Sequence, residues 1–103
     1  MKTQVYVIFD HKAAIYNKPF HQLNEQVALR TFIDLVNDPQ SEIYKHPEDY
    51  TLFHIGEYED TTARFKLKEG HDVVISGHEV RVQESEAVKK LRELTDIPLK
   101  EAN

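Results

Sequence analysis

The stretch HPEDYTLFHIGEYED, residues 46–60, decides the fold because it joins a turn, a dense apolar strand and an acidic end. Pro47 fixes its φ angle at about −65°, which suits a tight turn or the first position of a short helical turn. Thr51 to Tyr58 is rich in β-branched and aromatic residues, which is typical of a strand. Apolar residues fall on both of its faces, so we expect a central strand rather than an edge strand.

The residues that follow predict a β-hairpin. Glu59 to Thr62 is polar and turn-like, and Ala63 to Lys68 would form the returning strand. This loop places Gly56 opposite Phe65, a plausible pairing of a glycine with an aromatic ring. One face of the hairpin is then predicted to pack into the core. Its residues are Leu52, His54, Tyr58, Phe65 and Leu67.

Segments on either side of the hairpin complete the predicted elements. Thr3 to Phe9 is a strand with apolar residues on both faces, so we expect it beside the central strand. A helix runs from about Glu25 to Asn37, with Asn24 as its N-cap. Residues 73–82 are predicted as either a small hairpin or an irregular segment, and residues 85–95 as a second helix.

These elements predict an α+β fold in a single domain over residues 1–103. The expected architecture is a small antiparallel or mixed sheet with a central hairpin, one main helix packed on it and a second C-terminal helix. No apolar run approaches the roughly 20 residues that span a bilayer, there is no signal-peptide pattern, and the chain has no cysteine. We therefore expect a soluble cytoplasmic protein with no membrane contact.

No catalytic or cofactor-binding pattern is found in the sequence. The six histidines lack close ligand spacing, so we predict no metal site, and three scattered glycines cannot form a glycine-rich phosphate loop. His54 lies among apolar residues in mid-strand, where we expect a hydrogen-bonded core histidine. The chain is therefore predicted to have no cofactor and not to be an enzyme.

The charge is unevenly distributed. The formal net charge is −5, which argues against nonspecific nucleic-acid binding by the molecule as a whole. Residues 31–60 hold eight acidic side chains and one lysine, a net charge of −7, so basic patches are possible elsewhere.

Basic residues alternate along the returning strand of the hairpin. Arg64, Lys66 and Lys68 would lie on one face beside Phe53 and Ile55. Cations that follow phosphates beside aromatic rings that stack on bases are typical of single-strand binding surfaces. Two other interpretations stay open. The strand could be a solvated edge protected by lysines, or Phe53 and Ile55 could pack against a second copy of the chain.

Several stretches, taken in order, carry a family resemblance. The most specific is His46-Pro47-x-Asp49-Tyr50-x-Leu52-Phe53-x-x-Gly56-x-Tyr58, with Asp60 after it. Further matches are the apolar first strand ending in Asp10, then Lys12, Tyr16, Pro19-Phe20, Ala28, Arg30, Phe32 and Asn37-Asp38-Pro39. Over about residues 1–80 the chain resembles the small nonstructural protein of gokushoviruses, single-stranded DNA phages of the Microviridae. The family often has glycine near the position of Ala63.

The resemblance implies a nonstructural phage protein that is made in the cytoplasm of the infected bacterium and is absent from the virion. It also implies a role in viral DNA replication or in the switch from replication to packaging, and DNA binding is commonly suggested for the family. It supplies no catalytic residues.

Our leading hypothesis is a homodimeric protein that binds DNA, with single strands preferred. The residues predicted to contact DNA are Lys12, Tyr16, Arg30, Phe53, Arg64, Lys66 and Lys68. The alternative is a protein-interaction module that binds a phage or host replication protein through its acidic residues 34–60.

Overall fold

The computed structural model describes residues 1–82, which form a five-stranded antiparallel sheet with one main helix packed against it. The strands are β1 (Lys2–Asp10), β2 (Ile15–Tyr16), β3 (Phe20–Gln22), β4 (Tyr50–Glu59) and β5 (Arg64–Ser76). The helices are α1 (Glu25–Asn37), α2 (Glu42–Lys45) and α3 (Gly77–Val80), and a 3-10 turn covers Pro47–Asp49. The predicted α+β class is confirmed. The helix predicted over residues 85–95 lies outside the described residues.

The sheet is built around β1 and β4, which pair antiparallel along their full lengths, from Lys2 opposite Glu59 to Asp10 opposite Tyr50. The strand order is β2-β1-β4-β5, and β3 shares the outer edge of β1 with β2. The prediction that the two apolar strands are neighbours is therefore confirmed. Each is flanked by strands along both edges, as predicted for a central strand.

The main helix has the predicted bounds. The Asn24 side chain accepts a hydrogen bond of 3.0 Å from the backbone N–H of Val27, which satisfies one of the free donors of the first turn. The helix ends at Asn37, and Asp38 is already extended because Pro39 follows it. Its buried stripe packs on the sheet. The resulting core contains Tyr6, Ile8, Ala28, Phe32, Val36, Ile43 and Leu52.

The two faces of the sheet differ. The helix face carries Tyr6 and Ile8 and is covered by α1. The opposite face, which we call the aromatic face, carries Val5, Val7 and Phe9, because successive residues of a strand point to opposite sides. Val5 and Val7 are also buried, so both faces of β1 are apolar and packed.

The hairpin register differs from the prediction by two residues. Glu59 lies opposite Arg64 and Gly56 opposite Leu67, so the loop comprises residues 60–63. Ala63 adopts a left-handed φ of 59°, a turn conformation, which delays the start of the returning strand. Glu59 stays in β4 instead, where its carboxylate accepts a 2.8 Å hydrogen bond from the N-terminal ammonium of Met1.

A β-bulge in β4 corrects the predicted core face. Tyr6 lies opposite His54 whereas Val5 lies opposite Gly56, so Ile55 is an extra residue between them. From Gly56 onward the side chains of β4 therefore point to the other side of the sheet. Tyr58 consequently lies on the aromatic face rather than in the helix-covered core. Its partner Phe65 is 54% exposed, and Leu67, opposite Gly56, is 66% exposed.

The segment after the hairpin is also different from the prediction. The returning strand does not end at Lys68 as predicted: β5 bulges over residues 68–71 and then resumes its pairing with β4 as far as Ser76. The short helix α3 follows, opened by a capping box between Ser76 and Glu79. In residues 1–82, no helix has both the length and the apolar character needed to cross a membrane.

Candidate nucleic-acid interface

Five rings on the aromatic face form a group that we call the aromatic cluster. Its members are Phe9, His11, Tyr16, Phe53 and His71. Strand pairing explains its formation, because Phe9 lies opposite Tyr16 across β1 and β2, and Val7 lies opposite Phe53 across β1 and β4. The structure therefore brings together the two aromatic residues predicted to stack on DNA bases.

The rings are in edge or tilted contact. The centre of the Tyr16 ring lies 4.4 Å from that of Phe9, 5.3 Å from His71 and 6.1 Å from Phe53. Tyr16 is 44% exposed, while Phe9 and Phe53 are half-buried beneath it. His11 is held at the border by a 2.8 Å hydrogen bond between Nε2 and the Thr51 hydroxyl. Rings supported in this way offer flat surfaces on which bases can stack.

The turn between β1 and β2 positions both Tyr16 and Lys12. The Asp10 carboxylate accepts hydrogen bonds from the backbone N–H groups of Lys12 and Ala13, at 3.0 and 3.2 Å. On the far side, Asn17 exchanges two hydrogen bonds with the backbone of Ile8, at 2.7 and 2.9 Å. The exposed Lys12 is thus carried on a braced turn that leads directly into the cluster.

A smaller aromatic group lies further along the same face. His21 of β3 contacts Tyr58 and Phe65, with ring centres 5.1 and 5.9 Å apart, and Tyr58 lies 4.8 Å from Phe65. Tyr58 lies opposite Thr3 in the pairing of β1 with β4. Thr3 and Phe9 are separated by an even number of residues along β1, so they point to the same side of the sheet, and both aromatic groups lie on the aromatic face.

The predicted basic residues of β5 are not beside the aromatic cluster. Lys66 lies opposite Glu57, and Arg64 lies opposite Glu59. Both cations therefore point to the side of the sheet opposite to Tyr16, and each lies beside a carboxylate. Lys68 forms a 2.7 Å ion pair with Asp72. That hydrogen bond and the lysine's charge lower the pKa of the Asp72 carboxyl.

The remaining predicted residue, Arg30, is exposed on α1, which covers the helix face. Of the seven predicted contacts, the structure therefore groups Tyr16 and Phe53, with Lys12 on the adjoining turn. Arg64 and Lys66 form a second group on the opposite side of the sheet.

A groove of about 300 Å³ opens where the bulge separates β4 from β5. His54 lies in its wall, where its Nε2 forms a 2.8 Å hydrogen bond with the Gln4 side chain. The predicted hydrogen bond is therefore present, but His54 is half-buried at the groove and is not a core residue. Lys66, Lys68 and Glu57 also line it, so its rim carries both signs of charge. The groove is open to solvent, and apolar atoms, including those of Leu67, lie beside the charged groups in its lining.

The acidic segment 34–60 does not form one continuous surface. Glu48 and Asp49 lie before β4, and Glu59 and Asp60 lie at its other end. A ten-residue strand separates these ends by roughly 30 Å. His46, Glu48 and Asp49 place potential ligand atoms within 4.8 Å of one another, but they are partly or fully exposed, and such groups are common without a bound ion.

Sequence reasoning missed three members of the aromatic cluster, which are Phe9, His11 and His71. Phe9 was assigned only to the first strand, although its alternation with Tyr6 and Ile8 already set it on the face away from the helix. His71 gave no usable signal, because its position depends on the bulge in β5.

No curated protein matches the chain significantly, and no solved structure does so either. The sequence does match a protein family described as Phage ORF5 protein, over residues 3–80. This range includes β1 to α3 and both aromatic groups, and it is about three quarters of the chain. The chain therefore belongs to the phage ORF5 protein family.

Proposed function

We propose that this bacteriophage protein is a non-enzymatic, single-stranded DNA-binding protein whose contact surface is the aromatic cluster. The observation that supports the proposal is the half-exposed ring of Tyr16, braced against Phe9, Phe53 and His71 on one face of the sheet. Bases of any sequence can stack on such rings, because every base has a flat π-face.

The biological setting is part of the same proposal. The protein acts in the cytoplasm of the infected bacterium, in viral DNA replication or in the switch to packaging, and is not a virion component. Membership of a phage family and the resemblance of residues 46–60 to the gokushovirus nonstructural protein support this assignment.

Lys12 and Lys18 supply the phosphate contacts, since they flank Tyr16 in the chain. The net charge of −5 repels the anionic DNA backbone at long range, so the affinity is modest. The phosphate contacts make this affinity depend strongly on salt. Arg64 and Lys66 contribute less than Lys12, because Glu59 and Glu57 lie opposite them.

The test is fluorescence anisotropy of labelled single- and double-stranded oligonucleotides with the full chain across a salt series. We expect tighter binding to single strands, weakening linearly in log salt. Tyr16→Ala should weaken binding about tenfold, because stacking contributes about 1–3 kcal/mol per base. Lys12→Glu should weaken it too and lower the magnitude of the salt slope by about 1.

Two matched controls separate the site from the rest of the surface. Leu23→Ala removes another exposed apolar side chain, and Lys45→Glu reverses a charge on α2; neither should change the affinity more than about twofold. Absence of binding at low salt, or equal affinity of Tyr16→Ala and the native chain, would contradict the proposal. Capture of a replication protein without DNA would instead favour the acidic segment as the functional region.

A further inference from the structure

A second group of rings lies on the aromatic face, towards the tip of the β4–β5 hairpin. We call His21, Tyr58 and Phe65 the tip group, and the centres of its rings lie between 4.8 and 5.9 Å apart. Phe65 is 54% exposed, and Tyr58 is half-buried beside it. The DNA contact proposed for the aromatic cluster makes no use of this group.

The tip group and the aromatic cluster present their rings in the same way. In the aromatic cluster the partly exposed ring of Tyr16 leans on the half-buried ring of Phe9, with 4.4 Å between their centres. In the tip group the partly exposed ring of Phe65 leans on the half-buried ring of Tyr58, at 4.8 Å. Each group therefore offers one supported ring on which a base can stack.

A histidine held by a threonine hydroxyl borders each group. His11 forms a 2.8 Å hydrogen bond with Thr51 beside the aromatic cluster. His21 forms a 3.2 Å hydrogen bond with Thr3 in the tip group. The two histidine rings are thus fixed against the neighbouring aromatic rings, which keeps both stacking surfaces in place.

The surface of β1 and β4 between the two groups carries no charged side chain. The residues of these strands that share the aromatic face are Thr3, Val5, Val7, Phe9, Thr51, Phe53, Gly56 and Tyr58. Glu57 lies opposite Gln4 and Glu59 opposite Lys2, so these carboxylates point to the other side of the sheet. An anionic strand that follows β1 and β4 between the groups therefore meets no carboxylate from them, although the net charge of the chain is −5.

The distance between the groups suits a short single strand. Phe9 lies opposite Tyr16 and Thr3 lies opposite Tyr58, and residues 3 and 9 of β1 are about 20 Å apart along the strand. Phosphates of a stacked strand are about 3.4 Å apart, so about seven nucleotides cover this distance. We propose that single-stranded DNA runs along the aromatic face and stacks on both groups, with Tyr16 at one end and Phe65 at the other.

This inference rests on the DNA binding proposed above and adds a length dependence to it. A strand held at one group brings its next bases to the other at a high effective concentration, so the two contacts reinforce each other. An oligo(dT) of ten nucleotides reaches both groups and should bind more than about tenfold tighter than one of three nucleotides. The shorter strand binds at the aromatic cluster, because Lys12 and Lys18 flank Tyr16 in the chain.

The test is fluorescence anisotropy of both labelled strands with the full chain, native and Phe65→Ala. The variant should bind the ten-nucleotide strand about tenfold more weakly, as expected for one lost stacking contact. Its affinity for the three-nucleotide strand should change less than about twofold, because that strand does not reach the tip group. The salt slope for the longer strand should stay native, since no phosphate contact is removed.

Val82→Ala is the control for the loss of an exposed apolar side chain. Val82 is 68% exposed, and its backbone N–H donates a hydrogen bond to Asn37 at the end of α1, away from the aromatic face. This variant should bind both strands with native affinity.

Two further substitutions at Phe65 separate stacking from plain apolar contact. Phe65→Tyr keeps the flat ring and should bind the longer strand within about twofold of the native chain. Phe65→Leu keeps an apolar side chain without a ring and should bind it as weakly as Phe65→Ala. Both retain a large side chain against Tyr58, so they decide the question even where Phe65→Ala does not fold.

Native affinity of Phe65→Leu for the longer strand, with Tyr16→Ala still weakened, would overturn the path across both groups and leave the proposed function standing. Failure of the native chain to bind the longer strand would overturn both. Sedimentation equilibrium without DNA checks the other occupant of this face. A native dimer that Phe65→Ala dissociates would assign the tip group to a second copy of the chain and overturn the DNA path.

Discussion

The two halves of the β4–β5 hairpin both carry large apolar side chains, but these side chains differ in burial. Near its base, Leu52 is fully buried because α1 lays Phe32 and Val36 across the sheet. Towards its tip, Phe65 and Leu67 have the same apolar character but are more than half exposed. Alternation along a strand therefore identifies which residues share a face, whereas burial depends on whether another layer covers that face.

The largest expected difference in stability comes from shortening one leucine to alanine in each half of the hairpin. Leu52→Ala should lower the free energy of unfolding by about 3–5 kcal/mol, because it leaves a cavity under α1. Leu67→Ala should lower it by less than about 0.5 kcal/mol, because its side chain is already in water. Urea denaturation of dilute, monomeric protein measures both; equal losses would mean that the hairpin tip is covered in solution.

Gly56 of β4 and Gly70 of β5 differ in how closely the neighbouring backbone approaches them. A Cβ on Gly56 would lie 2.5 Å from the Lys66 carbonyl oxygen and 3.0 Å from the Leu67 Cα, both in the backbone of β5. Gly56→Ala should therefore destabilise the fold by about 2 kcal/mol. Gly70→Ala has open space around it and is the control. Thermal unfolding should give a lower Tm for the first variant alone, and the reverse order would refute the register of the β4–β5 pair.

A smaller effect of opposite sign is expected in the loop. Ala63 holds a left-handed φ of 59°, which glycine adopts without strain. Ala63→Gly should raise stability by about 0.5–1 kcal/mol, since the relieved strain exceeds the added entropy of the unfolded chain. A denaturant titration that shows destabilisation would indicate that the loop conformation differs.

The smallest effect concerns the ion pair that joins the hairpin tip to the N-terminus. Hydrogen bonds donated by the Met1 ammonium and by Thr61 lower the pKa of Glu59 from 4.5 to about 2, and the hydrogen bonds that the ammonium donates to Asp60 and Glu59 raise its own pKa above 8.0. The carboxylate therefore stabilises the fold above pH 4.5, and this stabilisation is lost as the pH falls towards 2. The ammonium stabilises it below pH 8.0 and less so above its raised pKa.

Glu59→Gln should thus lower the Tm slightly between pH 4.5 and 8.0 and converge with the native chain in acid. The groups are exposed, so salt should reduce the difference as well. A Tm difference that persists at pH 2 would contradict this origin.

Local sequence determined the elements whose causes are local. The bounds of α1 follow from the Asn24 cap, the apolar period and Pro39, and each acts within one or two turns. The apolar character of β1 and β4 made them central strands and neighbours. Tyr16 and Phe53 were both named as DNA contacts from the sequence, but their meeting in one site depends on the pairing of β1 with β2 and β4.

Tertiary structure alone decided which face each residue of the hairpin occupies. The bulge at Ile55 reverses the alternation of β4, and the bulge at residues 68–71 brings His71 to Tyr16 while leaving Lys66 on the other side. Neither bulge has a local sequence signature, because an extra residue is accommodated only when the neighbouring strands fix the register on both sides of it. The sequence by itself therefore determined which strands and helix form, and long-range pairing determined which side chains meet.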